Sequence, residues 1–184
     1  WSPSCPLPFA VRATTAFAIT NILIFAYTSP LSRVTSGGFS PIARATVILS
    51  LATVCALDRA EGPYLGKETG ETALLRQIMG SLRPGDVAVM DRYYCSFLMI
   101  ALLLGRSVQV CARMHQKRHV DFRRGRRLGK YDHVLVWTKP QRPEWMDQTT
   151  YDAIPETLEL REIRYQVIQP GYRSTTLTVV TTLT

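Results

Sequence analysis

The sequence predicts an α/β fold, strands and helices in succession. Three observations predict it. The apolar run at 86–90 comes after the turn signal Arg83-Pro84-Gly85 and reads as a buried strand. Leu74, Leu75, Ile78, Met79 and Leu82 recur at helical spacing, so residues 68–82 read as an amphipathic helix. Val108, Val110 and Ala112 then alternate as a further strand. A hydrophobic content of 46% over 184 residues is enough for the core of one domain, or one and a fraction.

Along the chain, residues 1–38 differ in kind from residues 39–184. They carry two charges, Arg12 and Arg33, and no acid occurs before Asp58. The first residue is Trp1, which reads as a start inside a gene or after processing. Residues 16–27 are apolar but too few to span a bilayer as a helix. They have the length of a signal-peptide core, with Arg12 on the amino side, yet no convincing cleavage site lies after them. The segment 1–38 is expected to be disordered or translated from a disrupted frame.

Residues 39–184 have the texture of a folded unit. The run 43–57, rich in Val, Ile and Thr, reads as one long strand or a hairpin. Asp58-Arg59-Ala60-Glu61-Gly62-Pro63 reads as a turn. The helix 68–82, the strand 86–90, a buried helix at 94–104 ending at Gly105 and the strand around Val110 come next. Residues 114–131 read as a basic loop, 134–138 as a short strand, and Pro140 and Pro143 mark a polar connector. The runs 158–168 and 175–183 read as a hairpin about Pro170-Gly171. The chain stops inside this Thr-rich strand, which reads as a truncation.

Charge is concentrated. The formal net charge is +8, and residues 105–142 hold eleven Lys or Arg against two acids, Asp121 and Asp132. Such a stretch points to a polyanionic partner, most often nucleic acid. The four cysteines, Cys5, Cys55, Cys95 and Cys111, show no paired spacing and read as buried thiols of a reduced, cytoplasmic protein.

Several motifs bear on chemistry. Gly66-Lys67-Glu68-Thr69 lacks the spacing of a phosphate loop, and Glu68 stands where a hydroxyl is needed. Cys111, His115 and His119 are spaced by four, but Arg113, Lys117 and Arg118 between them disfavour a bound cation. The run Arg123-Arg124-Gly125-Arg126-Arg127-Leu128-Gly129-Lys130 is the strongest electrostatic feature. Its planar guanidinium forks match phosphate oxygens, which suits gripping a backbone rather than reading bases. Tyr131, Trp137 and Trp145 are candidates for stacking on an unpaired base, with core packing favoured for Trp137. Asp91, in Asp91-Arg92-Tyr93-Tyr94, has two readings. It caps the helix after it, or it is a carboxylate at the carboxyl end of a central strand, where α/β sheets keep their chemistry.

Taken together these residues resemble the DDE transposases of bacterial insertion sequences, within the group named after insertion sequence four. The matching positions run from about Gly38 to Thr184. They include Gly38-Phe39-Ser40-Pro41, Gly66-Lys67-Glu68-Thr69-Gly70-Glu71, and the stretch from Gly85 through Asp91-Arg92-Tyr93-Tyr94-Cys95-Ser96-Phe97. They continue with Ala112-Arg113-Met114-His115, Asp121-Phe122-Arg123-Arg124-Gly125, Leu160-Arg161-Glu162 and Val180-Thr181-Thr182-Leu183.

The resemblance implies a ribonuclease H-like mixed sheet with helices and a basic, β-rich insertion from about residue 114. It implies three acids holding two Mg²⁺ or Mn²⁺ ions, with Asp91 as the second, both catalytic and a metal ligand. Arg113, His115, Lys117, Arg118, His119, Arg123, Arg124, Arg126, Arg127 and Lys130 would grip the double-stranded DNA of transposon ends. A homodimer of the complete protein and a nucleoid-associated place in the bacterial cytoplasm, away from membranes, belong to the same expectation. The chain departs from the family at two acids. None precedes Gly38, and the third would lie beyond Thr184. With one of three acids, the polypeptide alone is expected neither to cut nor to join DNA, because Mg²⁺ dehydrates reluctantly for a single carboxylate. Two other readings stand beside this one: a non-catalytic DNA-binding remnant, and a basic protein held at a membrane by its apolar amino-terminal stretch.

Overall fold

The computed structural model describes residues 16–25, 42–67, 69–168, 171 and 175–183. The chain is an α/β protein with a mixed sheet and few helices. Among the described residues nine strands form one sheet: β1 (Ala16–Phe25), β2 (Ile42–Ser50), β3 (Ala56–Pro63), β4 (Val87–Met90), β5 (Gln109–Arg113), β6 (Arg126–Gly129), β7 (Asp132–Thr138), β8 (Thr157–Val167) and β9 (Thr175–Thr181). Their spatial order is β3-β2-β1-β4-β5-β9-β8-β7-β6. β1, β4 and β5 run parallel to one another, and the remaining neighbours pair antiparallel.

Part of the segment that composition sets apart at 1–38 enters this sheet. Residues 16–25 form β1, in register with β2 from Phe17↔Ser50 to Phe25↔Ile42 and with β4 from Ala16↔Val87 to Ile19↔Met90. An apolar, charge-free run suits a strand flanked on both sides. The rest of 1–38 lies outside the described residues, as does Cys5. Among the described residues no helix is long and apolar enough to cross a membrane.

The run 43–57 is a hairpin rather than one strand, and Asp58–Pro63 is not a turn. These residues belong to β3, which pairs with β2 from Ala43↔Pro63 to Leu49↔Ala56. The chain reverses at 51–55, where Ser50 N–H donates to the Cys55 carbonyl at 2.9 Å. β3 is an edge strand, and edges tolerate Pro and charge. At 45–48, β2 is buried throughout. Cys55, expected to be buried, is exposed in this turn.

Helix α1 (Glu71–Ile78) is shorter than the apolar pattern implied and runs into a 3-10 turn at Met79–Ser81. Leu74, Leu75 and Ile78 face the core. The turn before β4 is built as the sequence implies. Gly85 adopts φ +91°, and Asp86 Oδ2 accepts from the Arg83 N–H at 2.8 Å. Helix α2 (Phe97–Leu104) begins later than expected, after a 3-10 turn at Arg92–Tyr94. Its cap is Ser96, whose hydroxyl oxygen accepts from the Met99 N–H at 3.3 Å. Six of its eight residues are buried, so it packs on more than one side.

Between β7 and β8 the polar connector holds a short helix, α3 (Gln148–Ala153), capped by Asp147 through the Thr150 N–H at 2.8 Å. One continuous core runs from Ile48 on β2 through α1, β4, α2 and β5 to Trp137, Leu158 and Leu160. The hairpin β8–β9 forms as expected, and β9 closes onto β5 through side chains as well as the ladder. The Thr181 hydroxyl donates to the Val110 carbonyl at 2.8 Å, and the Val110 N–H donates to the Thr182 hydroxyl oxygen at 2.8 Å. The two threonines of Thr-Thr-Leu thus bracket one residue of β5.

Candidate functional site

The three parallel strands end on one side of the sheet. Met90, the last residue of β4, is level with Ile19 on β1 and Ala112 on β5. The next positions along are Asp91, Thr20 and Arg113. Asp91 is exposed and stands at the start of the 3-10 turn, yet its side chain makes no capping hydrogen bond. The capping reading is therefore not the one adopted, and Ser96 performs that role for α2.

Arginines gather near the carboxyl ends of β4 and β5. A cavity of ≈ 180 Å³ is lined by Arg92, Arg113, His115, Arg118 and Arg164, with Thr178 on its wall. They come from three places in the fold: the turn after β4, the end of β5 with the loop after it, and β8. Arg92 Nη1 donates to Gln116 Oε1 at 3.0 Å, and Arg164 Nε donates to the Thr178 hydroxyl at 3.1 Å. The Arg118 guanidinium lies 3.4 Å from the Trp137 ring centroid, and that of Arg164 lies 4.9 Å from the Phe122 centroid. Among the described residues, no carboxylate pairs with Arg92, Arg113, Arg118 or Arg164.

The arginine-rich loop is different. Asp121 binds Arg123 through both carboxylate oxygens, at 2.9 and 3.2 Å, and lies 3.7 Å from Arg124 Nε. Hydrogen bonding from Arg123 lowers the Asp121 pKa to about 2. The carboxylate thus keeps its charge, and the clamp, down to that pH. Arg126 meets Glu159 at 3.5 Å, and Arg127 Nε donates to the Gly129 carbonyl at 3.1 Å. Arg126 and Arg127 lie on β6, inside what the sequence implies is a loop. Lys117, His119 and Lys130 are exposed, with Lys130 Nζ 5.2 Å from the Tyr131 ring centroid. Much of the loop's charge is offset at short range, whereas that of the cavity is not.

A buried polar brace holds the loop in place. His133 on β7 and Glu162 on β8 are directly opposite in register and fully buried. His133 Nε2 lies 2.9 Å from Glu162 Oε2, and Trp137 Nε1–H donates to Glu162 Oε1 at 2.8 Å. His133 Nδ1 lies 2.7 Å from the Arg124 carbonyl. A carbonyl only accepts, so Nδ1 carries a proton. A second proton is shared between Nε2 and the carboxyl group, which leaves no polar atom of the trio unsatisfied. The brace fixes the backbone of Arg124 from below. Gly125 comes next, with φ +73°, close against Val134.

Trp137 is buried and cannot stack on a base. Trp145 has the Arg76 guanidinium 3.8 Å from its ring centroid, while Tyr131 is half-exposed at 46%. Burial raises the Cys95 thiol pKa to about 11 and also raises that of Cys111, so both remain neutral thiols. Among the described residues, no three His, Cys, Asp or Glu side chains come together to hold a metal ion. For Mg²⁺ or Mn²⁺ the fit is poor: Asp91 is one carboxylate beside uncompensated arginines, and Thr20 and Asn21 on β1 are not acids. The sequence pattern singled out Arg113, His115 and Arg118 but not Arg92 or Arg164. Arg92 directly adjoins Asp91, which could have flagged it. Arg164 is brought in by the register of β8 on β9 and of β9 on β5, which no local pattern carries.

No family model and no curated protein matches the chain. Among solved structures, it is similar to a piggyBac transposase in a synaptic complex with hairpin DNA, at 12% identity and a TM-score of 0.49. The match covers 90% of this chain and 32% of that one, so this chain spans about a third of the transposase's length. The likeness is distant.

Proposed function

We propose that the chain is a DNA-binding part of a transposase of the DDE class, of the insertion-sequence-four-like group. The observation that carries this reading is the set of uncompensated arginines at the carboxyl ends of β4 and β5, next to an exposed carboxylate that caps nothing. Unpaired cations in a concave site favour an anion. The strongest polyanion that such a surface meets is duplex DNA. A mixed sheet with helices and a β-rich extension suits a ribonuclease H-like reading of the same chain.

In this reading the basic surface binds the DNA backbone of transposon ends, and Asp91 is one ligand of a divalent-ion site completed by acids that the chain does not supply. The residues of this chain bind and position DNA. A homodimer and a nucleoid location in the bacterial cytoplasm belong to the complete protein in this proposal. A non-catalytic DNA-binding remnant is the second reading, favoured by the lone carboxylate. The two part on whether flanking DNA encodes the missing acids.

Titrating duplex DNA against salt tests the binding step. With five or six phosphates met, log affinity should fall with log salt at a slope of roughly −5. A flat response rejects the DNA reading. Asp91→Ala should leave that affinity nearly unchanged, since a metal ligand adds little to backbone contacts. A large loss would give Asp91 a structural role instead.

A further inference from the structure

We propose that the cavity lined by Arg92, Arg113, Arg118 and Arg164 is a seat for a single phosphate group, and that it, rather than the arginine-rich loop, is where the DNA backbone is held most tightly. The inference deepens the DNA-binding reading and rests on it for the source of the phosphate.

Charge balance favours the cavity. In the loop, Asp121 occupies both ends of the Arg123 fork, and Glu159 faces Arg126. Binding DNA there must first displace a carboxylate. In the cavity nothing has to be displaced, because Arg92, Arg113, Arg118 and Arg164 have no acidic partner among the described residues. Like charges gathered without a counterion repel one another, and an entering anion relieves that repulsion.

Preorganisation favours it too. Arg118 is stacked on Trp137, and Arg164 is held by Phe122 and by Thr178. Arg164 spends one of the five N–H donors of a guanidinium on that hydroxyl, and Arg92 spends one on Gln116. Among the described residues their remaining donors have no hydrogen-bond partner. The Thr178 hydroxyl accepts from Arg164 and so keeps its own proton to donate. Side chains already fixed by stacking lose little entropy on binding.

Shape points the same way. Donors converge from the turn after β4, from the segment after β5 and from β8, which suits a tetrahedral oxyanion better than a planar carboxylate. A space of ≈ 180 Å³ takes a phosphate with a few waters, which occupy about 30 Å³ each in the liquid. Arg92 adjoins Asp91 in sequence and Arg113 follows Ala112, the partner of Met90, so the seat lies at the carboxyl ends of β4 and β5, with Asp91 itself outside the lining.

The test uses the whole chain with two probes, duplex DNA and inorganic phosphate. Arg92→Ala and Arg113→Ala should each make the salt slope for DNA shallower by about 1 and weaken binding about tenfold. Arg123→Ala should change both less. Arg59→Ala, on the edge strand β3 where Arg59 pairs with Glu61 at 3.4 Å, should change neither. Arg92→Lys, with thermal unfolding of every variant, separates lost charge from lost folding, and the lysine variant should restore the slope. Inorganic phosphate at constant ionic strength should shift the arginine Nε–H NMR signals of Arg92 and Arg164 saturably, and leave that of Arg161 unmoved. If DNA binds but the cavity variants behave like Arg59→Ala, or Arg123→Ala costs more than they do, the phosphate seat is wrong and the DNA reading stands. If phosphate saturates these signals but DNA does not bind, the seat stands and the DNA reading falls. If neither probe binds, both fail.

Discussion

Glu162→Ala is expected to lower the free energy of unfolding by about 3–4 kcal/mol, read by urea denaturation. Glu162 is 1% exposed and accepts from the Trp137 N–H while sharing a proton with His133. Alanine would strand both partners in a dry interior and leave a void beside them. Glu162→Gln provides the contrast. Its amide oxygen can accept from Trp137 and its NH₂ can donate to His133 Nε2, so every partner stays satisfied. It should cost about 1 kcal/mol or less. An alanine variant as stable as the parent would show that the brace is not what holds β7 to β8. Because His133 also holds the Arg124 carbonyl, the same alanine change should speed amide exchange through 121–125.

Gly125→Ala is the second large effect. A Cβ at this position would overlap the Val134 carbonyl oxygen, a backbone atom on β7. Gly125 also has φ +73°, which an L side chain adopts only at a cost of about 1–2 kcal/mol. Overpacking against backbone adds about 1–3 kcal/mol, for a total near 3 kcal/mol. Since Arg126 pairs with Val134 in the β6–β7 register, the clash falls on the joint between the arginine-rich loop and the sheet. Denaturation curves of the alanine variant should show this loss, with the β6–β7 amides exchanging fastest. A change below about 0.5 kcal/mol would mean that the loop moves freely away from β7.

The legibility of the fold in the sequence depends on how local each signal is. Val87–Met90, the apolar face of α1 and the β8–β9 hairpin are written in short periodic runs between turn residues, and they form as the pattern implies. β3 reads as a turn because an edge strand is free to carry Asp58, Arg59, Glu61, Gly62 and Pro63, the residues that also make turns. α3 escapes the pattern although Asp147 and Thr150 spell an N-cap, because its six residues show no apolar face. The cavity and the brace are illegible for a different reason. His133 and Glu162 are 29 residues apart, and Arg164 reaches Arg113 only through two strand pairings. Single residues do not advertise a register. The loop arginines dominate the sequence by number, yet the acid that quiets Arg123, Asp121, lies two residues before it in plain view.

The central claim is that nucleic acid meets the molecule at the carboxyl ends of β4 and β5. Amide hydrogen exchange of the full chain, with and without a short DNA duplex, tests this most directly. The expected result is slowed exchange in peptides covering 91–96, 113–120 and 175–178, with the β2–β3 hairpin at 42–63 unchanged. Protection centred on that hairpin, or on 121–130 alone, would contradict it.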